Sequence, residues 1–382
     1  GAGQHGPVLK DFCEEHYKAA KSDLANVFLD RSLKLCAPGG AVSFVMPQGW
    51  LFLKSYQKQR EHLLRHSAWN LLARLGSRAF ETISGEIVNA ILLTLTHSNP
   101  LESNEFCGVD ASAAISPEEK AVVLANQPFA QLNQKSQLAN PDGRIVLTTS
   151  DIEVYLSTYA VGLAGILNGD SPRFLKLFWE VLRNGGLWSF QQTTQDNSSH
   201  FGGLHNIVFY DEIGGHLREE EWIRRERLHN SDQRGQSVVG KKGVAVSSMG
   251  KLPVSLFLGS RFDSNVAAVV PADVSHLPAI WCFCLSPTYH DVVRQVDQAL
   301  KVTNSSLVKV PFDLPHWQKV ATERYPNGLP KPYSDDPTQW IFHGHPKPAT
   351  DPLQVAVARL LGYRWPAESD SEMELSDEAR AW

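Results

Sequence analysis

The sequence has few cysteines, no excess of positive charge and no long apolar run. Five cysteines among 382 residues, without regular spacing, do not form a disulfide framework and indicate reduced thiols in a cytoplasmic protein. Lysine and arginine total 36 against 41 acidic residues, so the net charge of −5 indicates no global attraction to nucleic acid. The longest apolar runs, residues 87–95 and 277–285, are too short to span a bilayer, and we expect no membrane partner.

The sequence also lacks the clusters that metal and nucleophilic sites need. Cys282 and Cys284 form a Cys-x-Cys pair without a second Cys/His pair at zinc spacing, so we predict that both are core residues. His343 and His345 have no carboxylate or cysteine cluster beside them. No serine stands in a recognisable Ser-His-Asp pattern. These absences argue against a zinc centre and against nucleophilic catalysis.

The first hundred residues show the alternation of helices and strands that is typical of an α/β sheet. A chain of this length predicts two or more folded units. The short apolar run at 41–46 is typical of a strand buried on both faces of a parallel sheet. The series predicts the end of a doubly wound sheet, closed by a hairpin. Candidate helices cover residues 8–35 and 55–66, and candidate strands cover 41–46, 69–75 and 86–96.

Composition changes near residue 98. Residues 99–159 are polar and rich in turn signals, which indicates a connector with one helix at 117–126. Residues 160–312 predict an irregular α+β region, and residues 313–382 a helical and irregular segment with a helix at 353–361. In the α+β region, candidate strands are 188–193, 206–210, 243–248 and 307–310, and candidate helices are 172–182, 217–228 and 287–300.

Short segments of the first hundred residues, in this order and spacing, resemble adenine-specific DNA amino-methyltransferases. The pattern is most similar to type IIG restriction–modification enzymes and to the methylases of BREX phage-defence systems. A looser resemblance covers residues 160–365. The matching segments are 21–24 (Lys-Ser-Asp-Leu), 28–31 (Phe-Leu-Asp-Arg), 35–40 (Leu-Cys-Ala-Pro-Gly-Gly), 44–51 (Phe-Val-Met-Pro-Gln-Gly-Trp-Leu), 75–80 (Leu-Gly-Ser-Arg-Ala-Phe) and 85–90 (Gly-Glu-Ile-Val-Asn-Ala).

Two motifs of that family are missing from this sequence. There is no Asn-Pro-Pro-Tyr catalytic tetrapeptide and no glycine-rich turn to hold S-adenosylmethionine. In the family both precede the part that matches here, so the resemblance implies a C-terminal fragment, inactive alone. It also implies that residues 1–98 end the class I (Rossmann-like) catalytic sheet, that 99–159 connect, and that 160–312 recognise the DNA target.

The resemblance assigns one residue to the target base. Methylation of adenine within a duplex requires the base to be extruded and held between aromatic or apolar surfaces. By resemblance, Phe80 supplies one such surface at the end of a strand; the alternative is that Phe80 is a core residue. Lys54 follows the Pro-x-x-Trp-Leu turn and is a candidate phosphate contact or an ordinary solvated helix start. We expect Trp50 to have a structural role.

The second half offers candidate DNA contacts of two kinds. Amide side chains read adenine edges in the major groove, and Gln191, Gln192 and Asn197 lie together in one polar-aromatic segment. Such segments also occur without a partner. Cationic side chains position a duplex by its phosphates, or simply form a solvated face with nearby acids. The cationic candidates are Arg224, Arg225, Lys241, Lys242 and Arg261.

Three functions are compatible with these features. The first is part of a site-specific DNA adenine methyltransferase that uses S-adenosylmethionine, with double-stranded DNA and phage-defence subunits as partners. The second is a non-catalytic DNA-binding specificity module that acts with a separate catalytic chain. The third is a scaffold subunit that keeps a degenerate methylase half.

Overall fold

A computed structural model describes most of the chain and divides it into two units. The described residues are 6–80, 88–147, 154–167, 171–177, 188–210 and 235–331, with residues 180, 357 and 360. The first unit comprises Gly1–Asp151 with Gln295–Asp297, and the second comprises Ile152–Arg294 with Gln298–Trp382. The described residues form a mixture of α-helices and β-sheets, as predicted.

Two helices replace the single helix that was predicted over residues 8–35. The first ends at His16, and Asp23 begins the second because its carboxylate accepts a hydrogen bond of 2.9 Å from the Ala25 amide. The predicted helix at 117–126 is confirmed at both ends. The helices of the first unit are α1 Pro7–His16, α2 Leu24–Leu35, α3 Gln57–His66 and α4 Pro117–Asn126.

One mixed sheet organises the first unit, in the order β1-β3-β2-β4-β5. β3 is antiparallel to both β1 and β2, so β1 and β2 point the same way on either side of it. β4 is parallel to β2, and β5 is antiparallel to β4. The expected antiparallel closing pair is therefore present. The strands are β1 Ala41–Pro47, β2 Ala68–Gly76, β3 Ala90–Thr96, β4 Glu105–Asp110 and β5 Ala130–Asn133.

β1 lies at an edge of this sheet, contrary to the prediction that it is buried on both faces. Within the described ranges, β3 is the strand that pairs with it, and most β1 side chains keep some exposure. Val45 is 57% exposed. An apolar run thus predicted the strand correctly but not its burial, because burial depends on what packs against both edges and faces.

Residues expected to act as a connector extend the same sheet. β4 and β5 both lie between residues 99 and 159, and the residues up to Asp151 belong to the first unit. Phe106 of β4 is buried and packs against Trp69 of β2, with ring centroids 5.6 Å apart. The polar composition of residues 99–159 did not predict these two short strands.

The second unit contains two four-stranded sheets, ordered β11-β10-β13-β6 and β12-β8-β9-β7. β13 lies between β10 and β6 and is buried along its whole length. The strands are β6 Ala160–Ala164, β7 Leu175–Leu177, β8 Trp188–Gln192, β9 Asn206–Phe209, β10 Gly243–Ser247, β11 Val254–Phe257, β12 Arg261–Phe262 and β13 Val266–Pro271.

Short helices complete the described structure. Cys282 and Cys284 are buried in α6, which confirms them as core residues, and all five cysteines are unbonded. The strand predicted at 307–310 is wrong, since those residues form turns. Within the described ranges we find no helix that combines the length and apolarity of a membrane span. These helices are α5 Ser171–Phe174, α6 Leu277–Cys284, α7 Pro287–Val296 and α8 Leu314–Arg324.

The predicted helix at 217–228 lies outside the described residues, as does most of the one predicted at 353–361.

Candidate nucleic-acid interface

Three strand ends form a level row at one edge of the first unit's sheet. Ala90, which begins β3, pairs with Pro47 at the end of β1 and with Gly76 at the end of β2. Two strand spacings separate Pro47 from Gly76, about 10 Å. Ligands of open α/β sheets bind at the carboxyl ends of their strands. We call the row Pro47, Ala90 and Gly76 the rim.

Phe80 follows the rim and faces solvent. The chain leaves β2 through Gly76, whose φ of +69° and close approach to Ser112 exclude a side chain: a Cβ would lie 2.8 Å from the Ser112 Cβ. Arg78 also adopts a positive φ of 56°. Phe80 is 42% exposed, so it is not a core residue in this structure. Its ring has surface available for a planar partner.

A short irregular segment leads from β1 to α3. It begins at Gln48, whose backbone amide donates to the backbone carbonyl of Asn89 at 2.9 Å, beside the rim. Trp50 is buried and packs against Trp69 at 6.0 Å, which confirms its structural role. Lys54 is exposed at the end of this segment. We call residues 48–54 the β1–α3 segment.

Arg60 of α3 is a residue that sequence reasoning missed. Its guanidinium is fully buried and donates to carbonyls of the β1–α3 segment and of the turn at Pro141–Gly143. Burial, reinforced by the nearby Arg144, lowers the pKa of Arg60 to about 10. In the sequence it stands in a helix rich in charge, where nothing distinguishes an inward-facing cation from its solvated neighbours.

The two glutamines expected to read bases are core residues of the second unit. Gln191 and Gln192 are 1% and 0% exposed. Gln192 Nε2 donates to the Ser255 hydroxyl at 2.8 Å, the Leu256 carbonyl at 3.0 Å and the Gly202 carbonyl at 3.1 Å. A side chain without exposed surface cannot reach a base edge, so this structure contradicts the assignment of both. Strand packing placed them inside, which their polarity did not predict.

The cationic candidates divide by exposure. Arg261 is 7% exposed, lies 3.4 Å from the Tyr210 ring centroid and donates to Gln236 Oε1 at 2.8 Å. These contacts and its burial contradict a surface phosphate contact. Lys241 and Lys242 are exposed.

Three further candidate DNA contacts lie in the second half of the sequence. Asn197, in the loop after β8, is exposed. Arg224 and Arg225 lie outside the described residues.

A cavity of about 320 Å³ lies within the second unit beside β10 and β11. Its walls are largely apolar, and Lys242 and Lys331 are also among the lining residues. Every residue that lines this cavity belongs to the second unit. Phe201, Leu256 and Leu277 are among its apolar walls.

The described residues do not fit a metal ion or S-adenosylmethionine. No group of three His, Cys, Asp or Glu side chains in the described part of the chain could hold a metal. The strand-to-helix connections of the first unit, residues 48–56 and 111–116, contain a single glycine, Gly49. A backbone that approaches a nucleotide closely needs glycines at such a turn. We therefore assign no residue of this chain to the cofactor.

Comparisons with known proteins support the resemblance drawn from the sequence. Residues 3–80 match the model of the Eco57I restriction-modification methylase family, so the match ends at Phe80. The adenine-specific methyltransferase BrxX of Escherichia coli O9:H4 (strain HS) is 28% identical over 70% of this chain and 23% of its own length. The adenine-specific methyltransferase PglX of Lacticaseibacillus casei (strain Zhang) is 39% identical over 23% of this chain and 7% of its own length.

Among solved structures, the type IIL restriction-modification enzyme MmeI in complex with DNA aligns with all of this chain and 56% of its own. The TM-score is 0.47 and the identity 10%. BrxX is the curated relative whose match covers most of this chain. The chain spans about a quarter of the length of BrxX. By sequence, the chain is homologous to the adenine-specific methyltransferases BrxX and PglX.

Proposed function

We propose that this chain is part of a site-specific DNA adenine methyltransferase of a restriction–modification or phage-defence system. The complete enzyme would transfer a methyl group from S-adenosylmethionine to the exocyclic amine of adenine. The observation that carries the proposal is the rim with Phe80 exposed beside it, within a segment that matches a restriction-modification methylase family.

Phe80 would hold the extruded adenine. A flipped base loses its stacking neighbours and must regain comparable contacts in the enzyme. An aromatic ring provides such a contact whatever the base, and about 1–3 kcal/mol is lost per base when it is removed. Phe80 supports this role because it is partly exposed and follows the carboxyl end of β2.

The strand arrangement supports a class I methyltransferase sheet that continues beyond β1. β1 is an edge strand among the described residues, and Val45 is one of its exposed side chains. Phe28 and Leu35 of α2, which packs beside β1, are also exposed, by 57% and 75%. Apolar surface of this kind is what further strands and helices of such a sheet would cover. The cofactor would bind in that further part.

The second unit would supply target recognition. Its exposed polar candidates are Asn197 in the loop after β8, and Lys241 and Lys242 before β10. Lysines contact phosphates and position a duplex, whereas an asparagine can pair with an adenine edge. Together with Lys54 of the first unit, these side chains are the proposed contacts to double-stranded DNA.

The test is to express the complete gene in a host without adenine methylation and to read modified bases across the genome. The expected result is methylated adenine at one short recurring sequence, with a smaller methylated fraction when Phe80→Ala is introduced. DNA binding by the complete protein without any methylation would instead favour a specificity module. Unmodified adenine together with no DNA binding would refute both functions.

A further inference from the structure

We infer that Arg60 is a positioning residue for base capture, because its guanidinium fixes the β1–α3 segment next to the rim. This inference rests on the function proposed above. Arg60 itself has no exposed surface and would not touch DNA. Its effect would pass through the backbone that it holds.

The guanidinium joins two loops through four backbone carbonyls. Nη1 donates to Trp50 at 2.5 Å and to Leu53 at 2.7 Å, both in the β1–α3 segment. Nε donates to Gly143 at 3.2 Å and Nη2 to Asp142 at 2.9 Å, in the turn that lies against α3. Each loop therefore receives two hydrogen bonds from one rigid planar group.

Arginine suits this role better than any other side chain. It presents five N–H donors in a fixed plane, whereas lysine presents three on one rotating atom. Irregular backbone that is buried must find partners for its carbonyls, and the Leu51 carbonyl finds its own in the Ile145 amide at 3.1 Å. Arg60 donates to the carbonyls of Trp50 and Leu53, which lie on either side of Leu51 in the sequence. Removing it would leave buried carbonyls unsatisfied in both loops.

The segment that Arg60 fixes is attached to the rim and ends at a proposed DNA contact. Gln48 donates to Asn89, the residue before Ala90 of the rim. At the other end, Lys54 directly follows the carbonyl that Arg60 holds at Leu53, and its side chain is exposed. A shift of this segment would displace Lys54 and disturb the backbone beside β2, from which Phe80 emerges.

Gln134 provides a matched control in the same unit. It is 1% exposed, and its side chain also takes part in four hydrogen bonds. Its Nε2 donates to Leu64 at 2.7 Å and Ser67 at 2.9 Å, and its Oε1 accepts from the Trp69 amide and from Asn104 Nδ2. These partners surround the amino end of β2, opposite the rim. Its loss should weaken the same sheet without disturbing the β1–α3 segment.

The experiment uses the full-length enzyme and its variants Arg60→Met, Arg60→Lys and Gln134→Met. Duplexes carry the fluorescent adenine analogue aminopurine at the methylated position, so that extrusion raises fluorescence. Amide hydrogen exchange of the free enzyme reports the β1–α3 segment directly, and thermal unfolding reports stability.

We expect Arg60→Met to reduce the fluorescence rise by about tenfold or more, as small misplacements at a site do, and to speed exchange at residues 48–54. Arg60→Lys should give an intermediate loss. Gln134→Met should lower the unfolding midpoint comparably, speed exchange near Trp69 instead, and leave the fluorescence rise within about twofold of wild type.

Three outcomes would overturn the inference. A normal fluorescence rise in Arg60→Met would refute it alone and leave the proposed function standing. An equal fluorescence loss in Gln134→Met would show that general destabilisation is the cause. No rise in the wild-type enzyme would refute base extrusion and the role of Arg60, while methylated adenine in the genome would still support the proposed function.

Discussion

The indole Nε1 of Trp281 donates a hydrogen bond of 2.9 Å to the hydroxyl of Tyr325, joining α6 to the residue that follows α8. The same hydroxyl lies 3.0 Å from His200 Nε2. Because the indole can only donate, the Tyr325 hydroxyl accepts from it and keeps its own proton for a further acceptor. His200 also packs on Trp281, with ring centroids 5.4 Å apart.

This arrangement predicts a loss of stability in mild acid. Burial, and secondarily Arg324, lower the pKa of His200 below its ordinary value of 6.5. The unfolded chain therefore binds the proton more readily than the folded one, so stability is full above pH 6.5 and falls as the pH drops toward the lowered folded value. Thermal unfolding of the protein across this range should show a falling midpoint.

Replacing His200 with phenylalanine should reduce that pH dependence. The pKa of His62 is also lowered, by burial and by His66, so part of the dependence should remain in His200→Phe. A variant whose midpoint still falls with pH as steeply as that of wild type would show that His200 does not contribute.

Phe80→Ala in the complete enzyme should weaken base capture without unfolding the sheet. An exposed ring contributes little to the core, while a stacking partner contributes about 1–3 kcal/mol per base. We expect roughly a tenfold or greater loss in methylation rate with an unchanged unfolding midpoint. Phe80→Tyr should retain most activity, because its ring can still stack.

Phe129 is the matched control for Phe80. It lies in the same unit and is 44% exposed, against 42% for Phe80. Phe129→Ala should leave methylation unaffected. Equal losses in the two alanine variants, or near wild-type methylation by Phe80→Ala, would remove Phe80 from the site.

Gln192→Leu should destabilise the second unit. The change removes a buried donor and leaves Ser255, Leu256 and Gly202 without its hydrogen bonds, at a cost of about 1–3 kcal/mol. Asn197→Ala, five residues away and exposed, should change stability by less than about 0.5 kcal/mol. Chemical denaturation followed by fluorescence distinguishes them. Equal stability of the two variants would contradict the structural role of Gln192.

Lys54→Ala should reduce the salt dependence of DNA binding by the complete enzyme. Each phosphate contact releases counterions, so losing one lowers the slope of log affinity against log salt by about 1. Lys135→Ala is the control variant. Because the Lys135 ammonium pairs with Glu102 at 2.6 Å, this substitution should leave the salt dependence of DNA binding unchanged. A slope that Lys54→Ala leaves unchanged across a salt series would exclude this contact.

Local patterns predicted local structure well. The start of α4 has a clear local cause, because the Ser116 hydroxyl accepts a hydrogen bond from the Glu119 amide and Pro117 occupies the first helical position. The three strands nearest the family motifs were predicted within a few residues, because short apolar runs bounded by turn residues have few alternatives. The break between α1 and α2 was missed although Asp23, a common capping residue, was visible.

Burial was what the sequence could not predict. Gln191 and Gln192 carry polar amides, yet they lie where two strands of the second unit pack against further backbone. Arg60 and Arg261 are cations that the fold encloses, Arg60 by backbone carbonyls and Arg261 by a glutamine amide and an aromatic ring. Which polar residues face inward depends on contacts between elements far apart in sequence, so the composition of a segment does not reveal it.

The edge strand β1 has a consequence for handling the protein. Within the described part of the chain, no strand pairs with the side of β1 that faces away from β3, so that side presents backbone N–H and C=O groups in a row, beside exposed apolar side chains such as Val45 and Phe28. Such an edge accepts a strand from any neighbouring molecule, including another copy. A polypeptide in which nothing covers β1 should therefore self-associate increasingly with concentration, and one in which a further strand occupies that side should remain dispersed.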